Sequence, residues 1–145
     1  RGVVRLIEST ILQVLQNDAE LASYVTTFAN LPAIFSESAP EGAKKPYITF
    51  RITELSPAHT AIARFSLYTD YWDYGMSKVV ARKVAERMKF LLDQKYFEHG
   101  QYSKIRVSFF SGGMVDEDDP QIIHYNQQYS VRACRKSWCE QFKKG

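Results

Sequence analysis

The sequence predicts an α+β domain in which an antiparallel sheet of about four strands is covered on one face by two helices. Two stretches repeat apolar residues every three or four positions, the period of a helix with one buried side. Four other stretches alternate apolar and polar residues, the period of a strand with one buried face. The 145 residues suffice for one core, so we expect a single domain, 1–145, in which residues 136–145 form a mobile tail.

The first element is predicted as an amphipathic helix between Val3 and Leu15. Its apolar stripe consists of Val3, Val4, Ile7, Ile11, Val14 and Leu15. Asn17 and Asp18 follow, and their side chains can accept hydrogen bonds from the backbone of a second, short helical turn. We expect Pro32 to end this helical region because proline lacks the amide hydrogen that a helix requires.

Two alternating segments then predict a long antiparallel hairpin. Residues 47–55 place Ile48, Phe50 and Ile52 on one face. Residues 61–73 place Phe65, Leu67, Thr69 and Tyr71 on one face. The opposite faces are polar, so they should meet water or a partner.

The remaining elements are predicted as one helix and a second hairpin. Residues 76–92 form the helix, with an apolar stripe of Met76, Val79, Val80, Val84, Met88, Leu91 and Leu92. Residues 104–115 and 122–135 are predicted strands. The acidic segment between them contains Pro120, which suits a hairpin tip rather than the interior of a sheet.

The composition argues against several classes of protein. A formal net charge of +3 without one massed basic tract is weak evidence for nucleic-acid binding. No apolar run approaches the ~20 residues that span a bilayer, and the N-terminal residues lack the pattern of a secretion signal. Cys134 and Cys139 have no partner cluster that would indicate zinc, and we expect them to be reduced thiols in a cytoplasmic setting.

No residue cluster indicates a catalytic site, a metal site or a cofactor site. The histidines His59, His99 and His124 have no Cys, His or carboxylate at ligand spacing. The segment Ser111-Gly112-Gly113 lacks the Lys-Ser/Thr of a phosphate-binding loop, so a turn or β-bulge is expected there. The acidic run 116–119 lacks the spacing of a calcium loop and is expected to be a solvated charge run, with docking or repulsion of nearby DNA as further roles. We therefore expect no enzymatic activity.

A combination of segments carries a family resemblance. The loop Pro40-Glu41-Gly42-Ala43-Lys44-Lys45-Pro46-Tyr47 enters a strand after the opening helix, an N-D-A-E-L turn and a strand start at Ile34-Phe35. A long strand later leads through Trp72 and Asp73 into the helix A-R-K-V-A-E-R-M-K-F-L-L-D. Over roughly residues 3–135 this order resembles the tail terminator family of long-tailed bacteriophages, also called tail-completion or head-to-tail joining proteins.

The resemblance implies a non-enzymatic assembly factor located in the virion, at the junction of head and tail. Such a protein assembles in the host cytoplasm, caps the finished tail tube as a ring, usually a hexamer, and stops further polymerisation. Its partners would be copies of itself, the tail tube protein and the connector or stopper protein of the head. DNA would pass through the ring without specific binding, and no membrane would be involved.

Three loops are the predicted interfaces: residues 40–46, 56–64 and 112–120. They follow from loop position alone, and the residues selected are Pro40, Glu41, Gly42, Lys44, Ser56, His59, Arg64, Gly113, Asp116, Glu117, Asp118 and Asp119. The alternative interpretation is a nucleic-acid-binding or regulatory α+β module. Its phosphate contacts would come from the polar strand faces and the basic C-terminal end, and its affinity would fall steeply with salt.

Overall fold

The computed structural model describes residues 2–55, 62–75, 77–99 and 102–135 of the chain. Within them the helices are α1 (Gly2–Gln16), α2 (Ala19–Ala22) and α3 (Val79–Leu92). The short strands are β1 (Thr27–Phe28), β2 (Leu31–Pro32), β3 (Ile34–Ser36) and β6 (Lys95–His99). The long strands are β4 (Tyr47–Glu54), β5 (Ile62–Tyr74), β7 (Tyr102–Val115) and β8 (Ile122–Arg135). The predicted tail, 136–145, lies outside the described residues.

The strands form two sheets. Six of them make a sheet in the order β3-β4-β5-β8-β7-β6, and β1 and β2 make a separate antiparallel pair. Every neighbouring pair in the larger sheet is antiparallel except β3 and β4, which are parallel. The sheet is therefore mixed.

The predicted fold class is wrong, because the described part of the chain is mostly β and its main sheet has six strands, not four. The four long strands lie close to their predicted positions, and both predicted hairpins form. The two edge strands, β3 and β6, are the ones that the predicted four-stranded sheet leaves out, although the family resemblance included a strand start at Ile34-Phe35. β3 spans three residues, Ile34–Ser36, which is too short to show alternation, and β6 follows α3 after only two residues.

The sheet curls around α1. This helix contacts β3 and β4 on one side of the sheet and β6 at the opposite edge, so the sheet must bend to bring both margins to it. Helix α3 lies beside α1 and contacts the central strands β5, β8 and β7. The helices thus fill the inner, concave face of the sheet.

The core lies between the helices and this inner face. Ile7, Ile11 and Leu15 of α1 are fully buried, as the predicted helical stripe requires. In α3 the buried members of the predicted stripe are Val84, Met88 and Leu92, whereas Val79 is 54% exposed. The strands contribute large fully buried side chains, among them Phe50, Phe65, Leu67, Tyr71 and Tyr129.

A hydrogen-bonded ion pair joins the two helical regions. Asp18 accepts a hydrogen bond from the amide of Leu21 at 2.9 Å and so caps α2, as predicted. The guanidinium of Arg87 in α3 donates to both carboxylate oxygens of Asp18, at 2.9 and 2.6 Å. The hydrogen bond from Arg87 outweighs the effect of partial burial and lowers the pKa of Asp18.

Two further observations bear on the predictions from composition. No helix in the described part of the chain is long and apolar enough to cross a membrane. Cys134 is disulfide-bonded, so the expectation of a reduced thiol is wrong at this residue. Cys139 lies outside the described residues.

Candidate interaction surface

The outer face of the main sheet, opposite the helices, presents mostly polar side chains. Strand register and burial place on it Thr49, Arg51, Thr53, Arg64, Ser66, Tyr68, Asp70, Trp72, Arg106, Ser108, His124, Asn126, Gln128, Ser130 and Arg132. The alternation in the sequence predicted the polar faces of β4 and β5 correctly. Which outer-face residues are neighbours depends on the pairing of β5 with β8, which alternation does not show.

His124 is the centre of a polar cluster on this face. Its Nε2 lies 2.6 Å from Oδ1 of Asp70 in β5, and its Nδ1 lies 3.0 Å from Oε1 of Glu117 in the acidic loop. Asn126 donates from Nδ2 to the same Asp70 oxygen at 2.8 Å. The ring of Trp72 stacks on the imidazole with the centroids 3.8 Å apart. Glu117, predicted as an interface residue, therefore attaches the acidic loop to the sheet.

The cluster favours a positively charged His124. A neutral imidazole has one N–H and can donate to only one of the two carboxylates, whereas an imidazolium donates to both. Burial alone would lower the pKa of His124, but the hydrogen bond and charge of Asp70, and then of Glu117, raise it above the ordinary 6.5. Burial would raise the pKa of Asp70, but His124, Asn126 and the charge of Arg51 lower it below 3.8.

The stability that this cluster gives to the acidic loop should depend on pH. Because the pKa of folded His124 is raised, its contribution is complete below pH 6.5 and is lost as the pH rises through the raised value. Because the pKa of Asp70 is lowered, its contribution is complete above pH 3.8 and is lost as the pH falls through the lowered value. We expect the loop to be held most firmly between these limits.

Fluorescence of Trp72 and amide exchange of the loop can measure this dependence. In a Trp138→Phe background, the emission of Trp72 should follow protonation of the stacked His124, with a midpoint above 6.5. Exchange at residues 116–119, corrected for its intrinsic pH dependence, should quicken above that midpoint. His124→Gln should remove both transitions, and a midpoint at or below 6.5 would contradict the cluster.

The loop formed by residues 40–46 lies beside the start of β4. Pro40, Glu41, Gly42 and Lys44 are all exposed, as an interface loop requires before its partner binds. The hydroxyl of Thr26 donates to the carbonyl of Lys44 at 2.6 Å, and the amide of Thr26 donates to the carbonyl of Pro46 at 2.9 Å. Gly42 has φ of +90°, a conformation that other residues rarely adopt. The loop is thus exposed but held at its C-terminal end.

The loop formed by residues 112–120 mixes exposed and engaged acidic side chains. Asp116 and Asp118 are exposed. Asp119 is half-buried; its Oδ1 accepts from the amide of Gln121 at 2.9 Å and its Oδ2 accepts from the hydroxyl of Tyr74 at 3.3 Å. The first residues of the predicted loop are still strand: Gly113 belongs to β7 and pairs with Asn126.

The described part of the third predicted interface, residues 62–64, lies at the opposite end of the sheet. Ser56 and His59 lie outside the described residues. Arg64 is described, and it is exposed in β5, opposite Arg132. The strands β4, β5, β7 and β8 run between the two ends, so the predicted interface loops belong to two separate surfaces rather than one.

A basic recess on the outer face was missed by the sequence interpretation. It has a volume of about 230 Å³ and is lined by Arg106 and Ser108 of β7 and by Ser130 and Arg132 of β8. In the strand register, Arg106 is opposite Arg132 and Ser108 is opposite Ser130. The sequence offered one signal: Arg and Ser are two residues apart in each strand, with Arg106 before Ser108 in β7 and Ser130 before Arg132 in β8.

The described residues contain no group of three or more His, Cys, Asp or Glu side chains arranged to hold a metal ion. The segment Ser111-Gly112-Gly113 lies within β7, next to a shift in the register between Phe109 and Ser111. The three residues themselves pair regularly with β8, so the expected turn or β-bulge is not at this segment; the irregularity lies just before it, at Phe110. A Cβ on Gly112 would come within 3.0 Å of the Gln127 side chain, so this part of β7 packs closely on β8.

Comparison with known proteins identifies the fold. No protein-family model matches the sequence, and no curated protein is significantly similar to it. A solved structure described as the virion of a native gene transfer agent (GTA) particle contains a chain with the same fold. The TM-score is 0.69 at 14% sequence identity, and the match covers 86% of this chain and 91% of that one. The chain thus has a fold that occurs in a virion.

Proposed function

We propose that this protein is a structural subunit of a phage-like virion. The observation that carries the proposal is the fold match to a chain of the gene transfer agent virion, which extends over 91% of that chain. A match over nearly the whole of both chains concerns the complete domain, not a common substructure. At 14% identity the likeness is one of fold, and the role is our inference from it.

Within the virion, we propose the role of a tail terminator. The protein would cap the tail tube as a ring, most simply a hexamer, and join it to the connector or stopper protein of the head. The segment Pro40–Tyr47, with the helices and strands around it, supports this role by its resemblance to that family. Exposed residues at both ends of the sheet also support it, the loops 40–46 and 112–120 at one end and Arg64 at the other, because a joining protein needs one surface for each neighbour.

The role needs no catalysis, and we propose that the protein is not an enzyme. Among the described residues, the arrangement most similar to a catalytic site is His124 with its two carboxylate partners. Both of its ring nitrogens are occupied by Asp70 and Glu117. Neither nitrogen is left to take a proton from a nucleophile, which a general base requires.

Deletion of the gene from the virus or particle that encodes this chain tests the proposal. Without a terminator, tails should grow to irregular lengths and remain unattached to heads, as seen by negative-stain electron microscopy. Mass spectrometry of purified wild-type particles should detect the protein, and complementation should restore uniform, attached tails. Normal particles after deletion would exclude the terminator role, and absence of the protein from purified particles would exclude a structural one.

Charge reversal in the acidic loop should separate folding from assembly. Asp116→Lys and Asp118→Lys change exposed side chains, so each variant should fold with a stability within about 0.5 kcal/mol of the wild type. Complementation by the double variant should nevertheless fail to give attached tails. Glu86→Lys, which changes the charge as much as either single substitution does and lies on the exposed side of α3, is the control. Full complementation by the double variant would show that this loop is not an interface in the assembled virion.

A further inference from the structure

The Arg–Ser recess, formed by Arg106, Ser108, Ser130 and Arg132, combines like charges that a stable sheet would avoid. Arg106 and Arg132 are directly opposite each other on neighbouring strands, an arrangement that is unfavourable between like charges. Both side chains are exposed, and neither lies within 4 Å of a carboxylate of the described residues. The pair therefore has a positive charge that the described part of the chain does not neutralise.

The recess is also built to receive an oxyanion. Arg106 donates from Nη2 to Oε1 of Gln94 at 2.7 Å and lies over the ring of Tyr96, which restricts where its guanidinium points. Ser108 and Ser130 place two hydroxyl groups in the same recess. Guanidinium and hydroxyl donors converging on a small recess suit a carboxylate or a phosphate.

The chain has exposed carboxylates on its own acidic loop, but these cannot reach the recess of the same molecule. Asp116 and Asp118 lie beyond the start of β8, next to His124. Arg132 is eight residues further along that strand, which separates the two regions by roughly 27 Å at about 3.4 Å per residue. Contact between the loop and the recess thus requires two molecules.

We propose that the Arg–Ser recess of one subunit binds Asp116 and Asp118 of a second copy of this chain. The two surfaces differ and lie at opposite ends of one sheet, so the contact is heterologous and can repeat from subunit to subunit until a ring closes. It specifies the subunit contact of the proposed ring and rests on that proposed function. Duplex DNA suits the face less well, because Asp70 and Glu117 lie on or beside it and Glu98 lines a neighbouring recess.

A charge-swap experiment tests the contact. One variant reverses the recess (Arg106→Glu with Arg132→Glu), and the other reverses the loop (Asp116→Lys with Asp118→Lys). Sedimentation velocity of the wild type should show self-association that weakens with salt. Each variant alone should associate more than about tenfold more weakly, because like charges then face each other. An equimolar mixture should recover association, since every contact again joins opposite charges.

A zero-length carbodiimide cross-link can locate the contact in the mixture. The introduced carboxylates of one variant should be joined to the introduced amines of the other, as identified by mass spectrometry of the linked peptides. Circular dichroism should show both variants folded, since all four positions are exposed. A control pair, Arg82→Glu and Glu86→Lys on the exposed side of α3, should leave association unchanged.

Four results would overturn this contact. The wild type remains a monomer at every concentration, or the mixed variants fail to recover association. Alternatively, the recess variant loses binding to a DNA fragment while it self-associates normally, which would make the recess a phosphate site. If both variants enter virions as the wild type does, the proposed contact is wrong but the proposed virion role is not affected. If the wild type itself is absent from virions, the proposed function is wrong.

Discussion

Met88→Asp should abolish folding of this domain. Met88 is fully buried in α3, among the core residues between the helices and the inner face of the sheet. Truncation of a buried methionine already costs about 2–5 kcal/mol, and an unpaired carboxylate in the core adds a desolvation cost to that. Domains of this size are stable by only about 5–15 kcal/mol, so the native state should no longer predominate.

The measurement is circular dichroism with urea denaturation, and Phe90→Asp is the matched control. Phe90 lies two residues further along the same helix but is 62% exposed. The control introduces the same charge into the same helix and should remain folded, with a slightly lower midpoint. If Met88→Asp unfolds cooperatively at a midpoint near that of the control, the described core is wrong around α3.

Gln127→Met should lower the free energy of unfolding by about 1–3 kcal/mol, because it leaves a buried hydroxyl without its acceptor. Gln127 is 3% exposed; its Nε2 donates to the carbonyl of Ala85 in α3 at 3.1 Å. Its Oε1 accepts from the hydroxyl of fully buried Tyr129 at 3.1 Å. Burial, and then the charge of Asp93, raise the pKa of Tyr129, so the phenol stays protonated and must donate. Methionine keeps the length of glutamine but cannot replace its amide oxygen.

The double variant Gln127→Met with Tyr129→Phe provides the test of that explanation. Removing both members of a buried hydrogen bond costs much less than removing one, so the double variant should be more stable than Gln127→Met alone. Equilibrium urea denaturation of the four proteins of the cycle gives the coupling. Additive losses from the two substitutions would mean that this hydrogen bond does not act as described.

The sequence was sufficient to predict the long strands and helices, but not how they are arranged in the sheet. Alternation over many residues predicted β4, β5, β7 and β8, since each has one buried and one polar face. It did not predict β3, because three residues cannot establish a period, and the parallel pairing of β3 with β4 depends on tertiary contacts. The predicted α+β class was wrong for this reason. The curl of the sheet around α1 could not be predicted either, because it also depends on tertiary contacts.

The polar cluster at His124 and the Arg–Ser recess could not be predicted for a related reason. Asp70 and His124 are 54 residues apart in sequence and become neighbours only because β5 pairs with β8, although α3, β6 and β7 lie between these strands along the chain. The same applies to Arg106 and Arg132: alternation assigns each to a polar face, but only the register places one opposite the other. The expectation of a solvated charge run holds for Asp116 and Asp118, which are exposed, but not for Glu117, which is hydrogen-bonded to His124.

The short outer strands have a consequence for how copies of this molecule can meet. β3 has three residues and β6 has five with an irregular register. The part of β7 that β6 leaves uncovered is interrupted by a register shift between Phe109 and Ser111, so neither rim of the sheet presents a long straight row of unpaired peptide groups. Proteins that keep such rims short resist open-ended stacking of sheets into fibrils. At the high local concentration of a growing particle, copies should therefore join through side chains on the outer face of the sheet and in the loops at its ends. Each of these surfaces can contact only a small number of neighbouring subunits.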